Sequence, residues 1–279
     1  MSVIIPVFNR RELLPRAILS VIQQRPAPLE ILIADDASTD GSCETLERDF
    51  PGVRVLRLES NQGPAAARNH ALAQAKGRWI AFLDSDDAWM PGKLRAQLDF
   101  LRAHPEYRIL QTEELWIRNG KRVNPMKKHQ KHGGWIYERC LPLCLISPSA
   151  VMIERSLLEE VGPFDESYPA CEDYELWLRI ASRHPVGLVP KPYVFKYGGH
   201  SDQRSREFPA MDRFRIRAMA KILSLGILSE SQSRATVSEL AQKSEIYFRG
   251  AEKHGSLEES RELRELVTPA LSARPQESL

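Results

Sequence analysis

Asp84, Ser85, Asp86 and Asp87 close an apolar run, Trp79 to Leu83. A buried strand that stops in clustered acids carries hard oxygen ligands to a sheet edge, where a divalent cation and a phosphate-bearing ligand can meet. Asp and Ser also favour the turn that opens a helix, so the cluster alone leaves both readings standing. Upstream, Leu29 to Ala34 runs into Asp35 and Asp36 in the same way. Two strands thus deliver carboxylates to one kind of edge, and in open parallel sheets ligands bind outside the carboxyl ends of the strands. The run before both closes in Pro6, Phe8, Asn9 and Arg10.

Three later segments hold further polar chemistry. In "CEDYELWLR", Glu172 and Asp173 stand in the first turn of a helix whose apolar face is Tyr174, Trp177, Leu178 and Ala181. The helix dipole favours acids there with or without a function. "YGGHSDQRSREF" is a flexible loop with His200, Arg204 and Arg206, residue types that bind metal and phosphate. The basic stretch of Lys121, Arg122, Lys127, Lys128, His129, Lys131 and His132 is either a solvated loop or a segment facing an anionic acceptor or donor phosphates.

The elements that must position these residues follow from apolar spacing. Val3 to Phe8, Leu29 to Ala34, Val53 to Leu58 and Trp79 to Leu83 read as strands. Between them, Leu13, Leu14, Ala17, Ile18, Val21 and Ile22 form a helical face, Ser42 to Phe50 a short helix, and Pro64 opens a helix that stops at Gly77. Pro91 opens another through Leu101. This alternation implies a parallel sheet with helices on both faces. Asn119-Gly120 marks a hairpin turn after a strand over Tyr107 to Ile117. Beyond Phe208 three amphipathic helices follow, separated near Gly226 and Gly255, suited to packing on the sheet domain, to pairing with another chain, or to a membrane face.

Composition removes several classes. With 279 residues, 42% of them hydrophobic, the chain can bury one large core, and a net charge of +2 implies no global attraction to nucleic acid. No apolar run approaches the roughly 20 residues of a membrane span. The first strand starts at Ser2 without a signal-peptide pattern, and Cys43, Cys140, Cys144 and Cys171 lack zinc-like pairing. Reduced thiols in a cytoplasmic protein are expected.

Taken in order, "SVIIPVFNR", "LIADDASTDGS", "NQGPAAARNHAL", "FLDSDDAW" and "CEDYELWLR" resemble the motifs of the family 2 glycosyltransferases over about the first 205 residues. The resemblance implies an α/β GT-A fold over residues 1–205, a mostly parallel central sheet with helices on both faces; outside it, the helical pattern is read as an extension over 206–268 and the remainder, 269–279, as a disordered tail. The resemblance also implies that Pro6, Phe8, Asn9, Arg10, Asp35 and Asp36 hold the nucleoside, that Gly63 lets the backbone approach it, and that Arg68 supplies a fixed cation. Asp86 and Asp84 would hold a divalent metal, Mg or Mn, Asp86 directly and Asp84 through ribose or water, and Asp84 and Ser85 would contact the nucleotide-sugar. His200 and Arg204 would close over the diphosphate, His200 also as a metal ligand. Asp173 would be the base of an inverting transfer, with Glu172 contacting the acceptor or orienting the base.

The donor implied is a nucleotide-sugar, UDP-sugar before dTDP- or GDP-sugars, and the acceptor a glycan, lipid-linked or protein hydroxyl in surface glycan biosynthesis. The Gln-x-x-Arg-Trp pattern of processive synthases is missing, so transfer of one or few sugars is expected, by an enzyme in the cytoplasm or peripheral at the inner membrane face. The C-terminal helices are where a homodimer contact would fall. The other reading is a noncatalytic sugar-nucleotide scaffold of the same fold, which would have lost the metal or base carboxylates; a dinucleotide fold is disfavoured because no Gly-x-Gly-x-x-Gly loop follows the first strand.

Overall fold

The computed structural model describes residues 1–199, 207–208, 210–254 and 257–272. Strands and helices alternate through β1 (Ser2–Val7), α1 (Leu14–Ile22), β2 (Glu30–Asp35), α2 (Leu46–Asp49), β3 (Val53–Arg57), α3 (Pro64–Leu72), β4 (Trp79–Phe82), β5 (Ala88–Trp89) and α4 (Lys93–Ala103). There follow β6 (Ile109–Arg118), β7 (Lys121–Val123), α5 (Tyr137–Cys140), β8 (Met152–Glu154), α6 (Arg155–Val161), α7 (Glu172–Ala181) and β9 (Gly187–Gly198). The chain closes with α8 (Asp212–Ser224), α9 (Glu230–His254) and α10 (Leu257–Ser272).

Nine strands among the described residues form one sheet in the order β3-β2-β1-β4-β8-β6-β9-β5, with β7 paired to β6. The strands β3, β2, β1 and β4 are parallel, so their carboxyl ends share one edge. Because β8 runs antiparallel to both β4 and β6, the strand β6 points the same way as β4, and β9 lies parallel to it. The ends of β4, β6 and β9 therefore meet at the edge that carries the acids.

Both faces of the sheet are covered, as the unbroken apolar runs of β1 and β2 require. Ile4, Leu32, Ala34, Ile80 and Phe82 pack on one face with Leu176, Trp177 and Ile180 of α7. Val3, Ile5, Ile31, Ile33 and Ala81 point the other way and pack with Leu14, Ala17, Ile18 and Leu94 of α1 and α4. The C-terminal helices bury Phe214, Leu240, Phe248, Leu263 and Val267 in the first of these cores. Much of their apolar surface thus packs within this chain, with Ile246 and Leu266 left exposed, and Tyr137 Oη lies 2.7 Å from Thr236 Oγ1 across that junction. No helix among the described residues is long and apolar enough to cross a membrane.

Three boundaries differ from the sequence expectation. The helix expected from Ser42 is a turn that becomes helical only over Leu46–Asp49. The last helix continues through Pro269 to Ser272, past the expected end at Thr268, with Val267 buried beneath it. Third, α3 ends at Leu72, and Gly77 has a different task from stopping it. A Cβ on Gly77 would lie 2.4 Å from the backbone nitrogen of Ser2 and 2.6 Å from the carbonyl carbon of Met1. Its amide donates to Ser2 Oγ at 2.8 Å, so the start of β1 is docked on this glycine. Gly77→Ala should displace that backbone and cost about 1–3 kcal/mol, the range for overpacking. A urea midpoint equal to that of the parent would refute the close approach.

Candidate active site

The first two loops at the acidic edge are stitched together. Val7 of β1 stands opposite Asp35 of β2, so the chain leaves both strands side by side. Asn9 adopts a left-handed φ of +53°, its amide donates to Ser38 Oγ at 3.0 Å, and its side-chain carbonyl accepts the Thr39 amide at 2.8 Å. The amides of Arg10 and Arg11 donate to Ser42 Oγ at 2.8 Å and Asp40 Oδ2 at 3.1 Å. Asn9 thus fixes the shape of the wall. Pro6 is buried in β1, whereas the Phe8 ring is 41% exposed on the rim.

Asp35 and Asp36, alike in sequence, separate in role. Asp36 accepts the backbone amides of Gln62 at 2.7 Å and Gly63 at 2.8 Å. That commitment shapes the loop before α3, where Gly63 takes a φ of +92° that side chains rarely adopt. Asp35 is fully buried; its Oδ1 accepts the Ser38 amide at 2.9 Å, and its Oδ2 lies 3.5 Å from Arg57 Nε without a hydrogen-bond partner. Burial and the Asp35 charge together push the neighbouring Cys43 thiol up to about 12.

The acids after β4 also divide. Asp87 is buried and accepts the Ser149 hydroxyl at 2.6 Å and the Tyr197 amide at 2.9 Å, which ties the turn to β9. Burial pushes its carboxyl well above the usual range against the pull of Lys196, and the Asp86 and Asp84 charges add to the rise. Ser85 is buried and Asp86 half-buried, the backbone carbonyl of Asp86 accepting from Arg16, whose guanidinium stacks 3.6 Å from the Tyr197 ring centroid. Asp84 accepts Arg68 Nη2 at 2.9 Å, and its amide donates to Ser149 Oγ at 3.1 Å.

Arg68 connects this turn to the opposite wall. From α3 its Nη1 reaches Glu172 Oε1 at 2.7 Å, so one buried guanidinium bridges the end of β4 and the start of α7. Arg68, expected as a fixed cation, is held between two carboxylates on separate elements, one on each terminal nitrogen. Burial raises the Glu172 carboxyl even with Arg68 opposing it. Next in the chain, Asp173 is half-buried; Oδ1 accepts the Tyr174 amide at 2.7 Å, and Oδ2 lies 3.4 Å from the Cys144 thiol. His200 and Arg204 lie outside the described residues.

Sequence reasoning missed the polar floor between these groups. Lys196 of β9 donates to Ser147 Oγ at 3.0 Å. Burial works against its charge but is outweighed by Glu114, Asp87, Asp84 and Asp86, and its pKa is raised. Glu114 of β6 lies 3.7 Å from Lys131, and its Oε1 has no hydrogen-bond partner. The available signal was charge inside strands, at Glu113, Glu114 and Lys196, where an apolar alternation was interrupted.

Among the described residues no three or more His, Cys, Asp or Glu side chains are grouped to hold a metal ion unaided. The oxygen donors of Asp84 and Asp86 nevertheless suit a hard divalent cation that completes its shell from a phosphate-bearing ligand and water.

The chain is similar to known proteins in sequence and in fold. The family described as "Glycosyl transferase family 2" matches residues 2–162. UDP-Glc:alpha-D-GlcNAc-diphosphoundecaprenol beta-1,3-glucosyltransferase WfgD of Escherichia coli is 33% identical over 195 residues, 67% of this chain and 72% of that protein. The putative teichuronic acid biosynthesis glycosyltransferase TuaG of Bacillus subtilis (strain 168) is 44% identical over 187 residues, 65% of this chain and 72% of TuaG. In structure, S. aureus TarS 1-349 in complex with UDP-GlcNAc superposes with a TM-score of 0.72 at 22% identity, over 97% of this chain and 79% of TarS 1-349. That likeness shows the fold, GT-A.

Proposed function

The chain belongs to glycosyl transferase family 2, and from that membership we propose that it transfers the sugar of a UDP-sugar, with inversion, to a hydroxyl of a lipid-linked glycan acceptor. The observation that carries this reading is the Arg68 fork, which draws the acidic turn after β4 and the Glu172–Asp173 start of α7 into one site. The UDP-glucose and lipid-linked acceptor in the name of WfgD support the choice of substrates.

Asp35 accepts a base or ribose hydrogen, with Pro6, Phe8 and the Asn9–Arg10 turn as its wall, a reading supported by its buried Oδ2 having no hydrogen-bond partner. Gly63, at its positive φ, leaves the loop without a side chain beside the nucleotide. Asp86 and Asp84 would hold the Mg or Mn ion, which when bound offsets charge on the departing diphosphate. Asp173 takes the acceptor hydroxyl proton as the new C–O bond forms at the anomeric carbon and the sugar–phosphate bond breaks. Glu172, held by Arg68, positions that turn of the helix. The retention of both Asp86 and Asp173 in the sequence supports the catalytic reading over a noncatalytic scaffold.

UDP-glucose titration in the presence of Mn²⁺ and of EDTA tests the donor site. Parent protein should bind more tightly with Mn²⁺, and Asp86→Ala should lose about tenfold or more of that affinity, since even outer partners of a metal carry tenfold effects. Equal affinity of parent protein with Mn²⁺ and with EDTA would reject the assignment.

A further inference from the structure

The proposed transfer gives the exposed cations of the basic stretch no role, yet the fold puts them on the rim of the site. In β6, Trp116 stands opposite Lys196 and Ile117 opposite Tyr197, whose amide is bound to Asp87. The β6–β7 hairpin therefore projects one or two residues beyond the level of the acidic turn. Its turn residues Asn119 and Gly120 both have positive φ, +48° and +72°, the geometry of a tight two-residue connection that follows the strand twist. After β7, His129 packs on Trp116 with ring centroids 5.1 Å apart, and Lys131 turns inward to Gln111 Oε1 at 3.0 Å. The arm is thus anchored at both ends.

What it presents is cationic. No aspartate or glutamate occurs between Glu114 and Glu138. Arg118, Lys121, Arg122, Lys127 and Lys128 are exposed, and among the described residues none of the five is in an ion pair. Met126, 61% exposed, sits beside the two adjacent lysines. The chain as a whole carries only +2, so this is a local asymmetry. Trp116, the aromatic residue in the hairpin, is half-buried under His129, which leaves no open ring for stacking nucleic acid bases.

We propose that this arm docks the enzyme on an anionic phospholipid surface, its cations among the headgroups and Met126 at their boundary with the acyl chains. The proposal rests on the reading of a lipid-linked acceptor, and it turns the mouth of the site towards the bilayer that holds such an acceptor. Trp135, exposed at 68%, lies off the arm. Its neighbour Gly134 bridges Val186, next to the Leu110–Gly187 pair, and so stands eight strand residues back, about 25 Å from the turn.

Flotation of the full chain with vesicles tests this directly. Binding is expected to vesicles of phosphatidylcholine with phosphatidylglycerol, to weaken with added salt, and to be absent with phosphatidylcholine alone. The combined variant K121E/R122E/K127E/K128E should lose about tenfold or more of the binding, the corresponding glutamine variant should fall between, and W135A should bind as the parent does. UDP-glucose affinity should be the same in all of them. Equal binding to neutral vesicles, unchanged binding by the glutamate variant, or loss in W135A would overturn the proposal. Release by inorganic pyrophosphate at matched ionic strength would also overturn it and reassign the arm to the acceptor diphosphate. Failure of the parent to bind UDP-glucose with flotation intact would remove the donor reading and leave the docking surface in place.

Discussion

Asp173→Asn is expected to lower sugar transfer by about 10²- to 10⁴-fold, the range for loss of a general base, with UDP-sugar affinity unchanged. The acceptor hydroxyl is a weak nucleophile at neutral pH, and Asp173 is the carboxylate at the start of α7 that Arg68 does not take. Asparagine keeps the side-chain shape, and its carbonyl can still accept the Tyr174 amide that Asp173 Oδ1 accepts at 2.7 Å. What it removes is the capacity to accept a proton. Separate measurement of kcat and of UDP-glucose Kd distinguishes this from a folding defect, which would move both. Substantial turnover by the asparagine variant would transfer the role of base elsewhere.

Arg68→Met should lower stability by about 3 kcal/mol, the lower end of the range for breaking a buried ion pair, because the Asp84 side chain keeps 27% of its surface in solvent. The methionine fills similar volume, so the loss reports on Asp84 and Glu172 left without their cation. Activity should fall as well, since the fork is a direct polar link between the end of β4 and the start of α7. Arg68→Lys should recover only part of the stability, because an ammonium is a single point where the guanidinium forks. Urea midpoints of the three proteins check the order; a shift below about 1 kcal/mol in the methionine variant, the size of an exposed pair, would mean that the fork is slack.

The strands that end in acids were legible in the sequence because a strand buried on both faces announces itself as an unbroken apolar run. The Asn119-Gly120 turn and the three C-terminal helices were legible for equally local reasons. What each acid does was not. Asp36 turns to the amides of Gln62 and Gly63, Asp87 to Ser149 and Tyr197, and Arg68 to two carboxylates, and every one of these partners is distant along the chain. They depend on pairings such as β6 with β9, whose register shifts twice near Glu113, beside Pro190 and Pro192. Period-two alternation carries no record of such partners, and prolines in a strand blur it further. The inward turn of Lys131 within a run of exposed cations was hidden for the same reason.

The stitched loops after β1 and β2, the wall of the proposed nucleoside site, bear on any attempt to change the donor base by transplanting sequence. Asn9 and Arg10 on one loop, and Ser38, Thr39 and Ser42 on the other, supply the two halves of a single set of bonds. A graft of either loop alone would leave amides facing side chains that no longer match. The unit of exchange is therefore the pair, two segments some thirty residues apart that have to be inherited together.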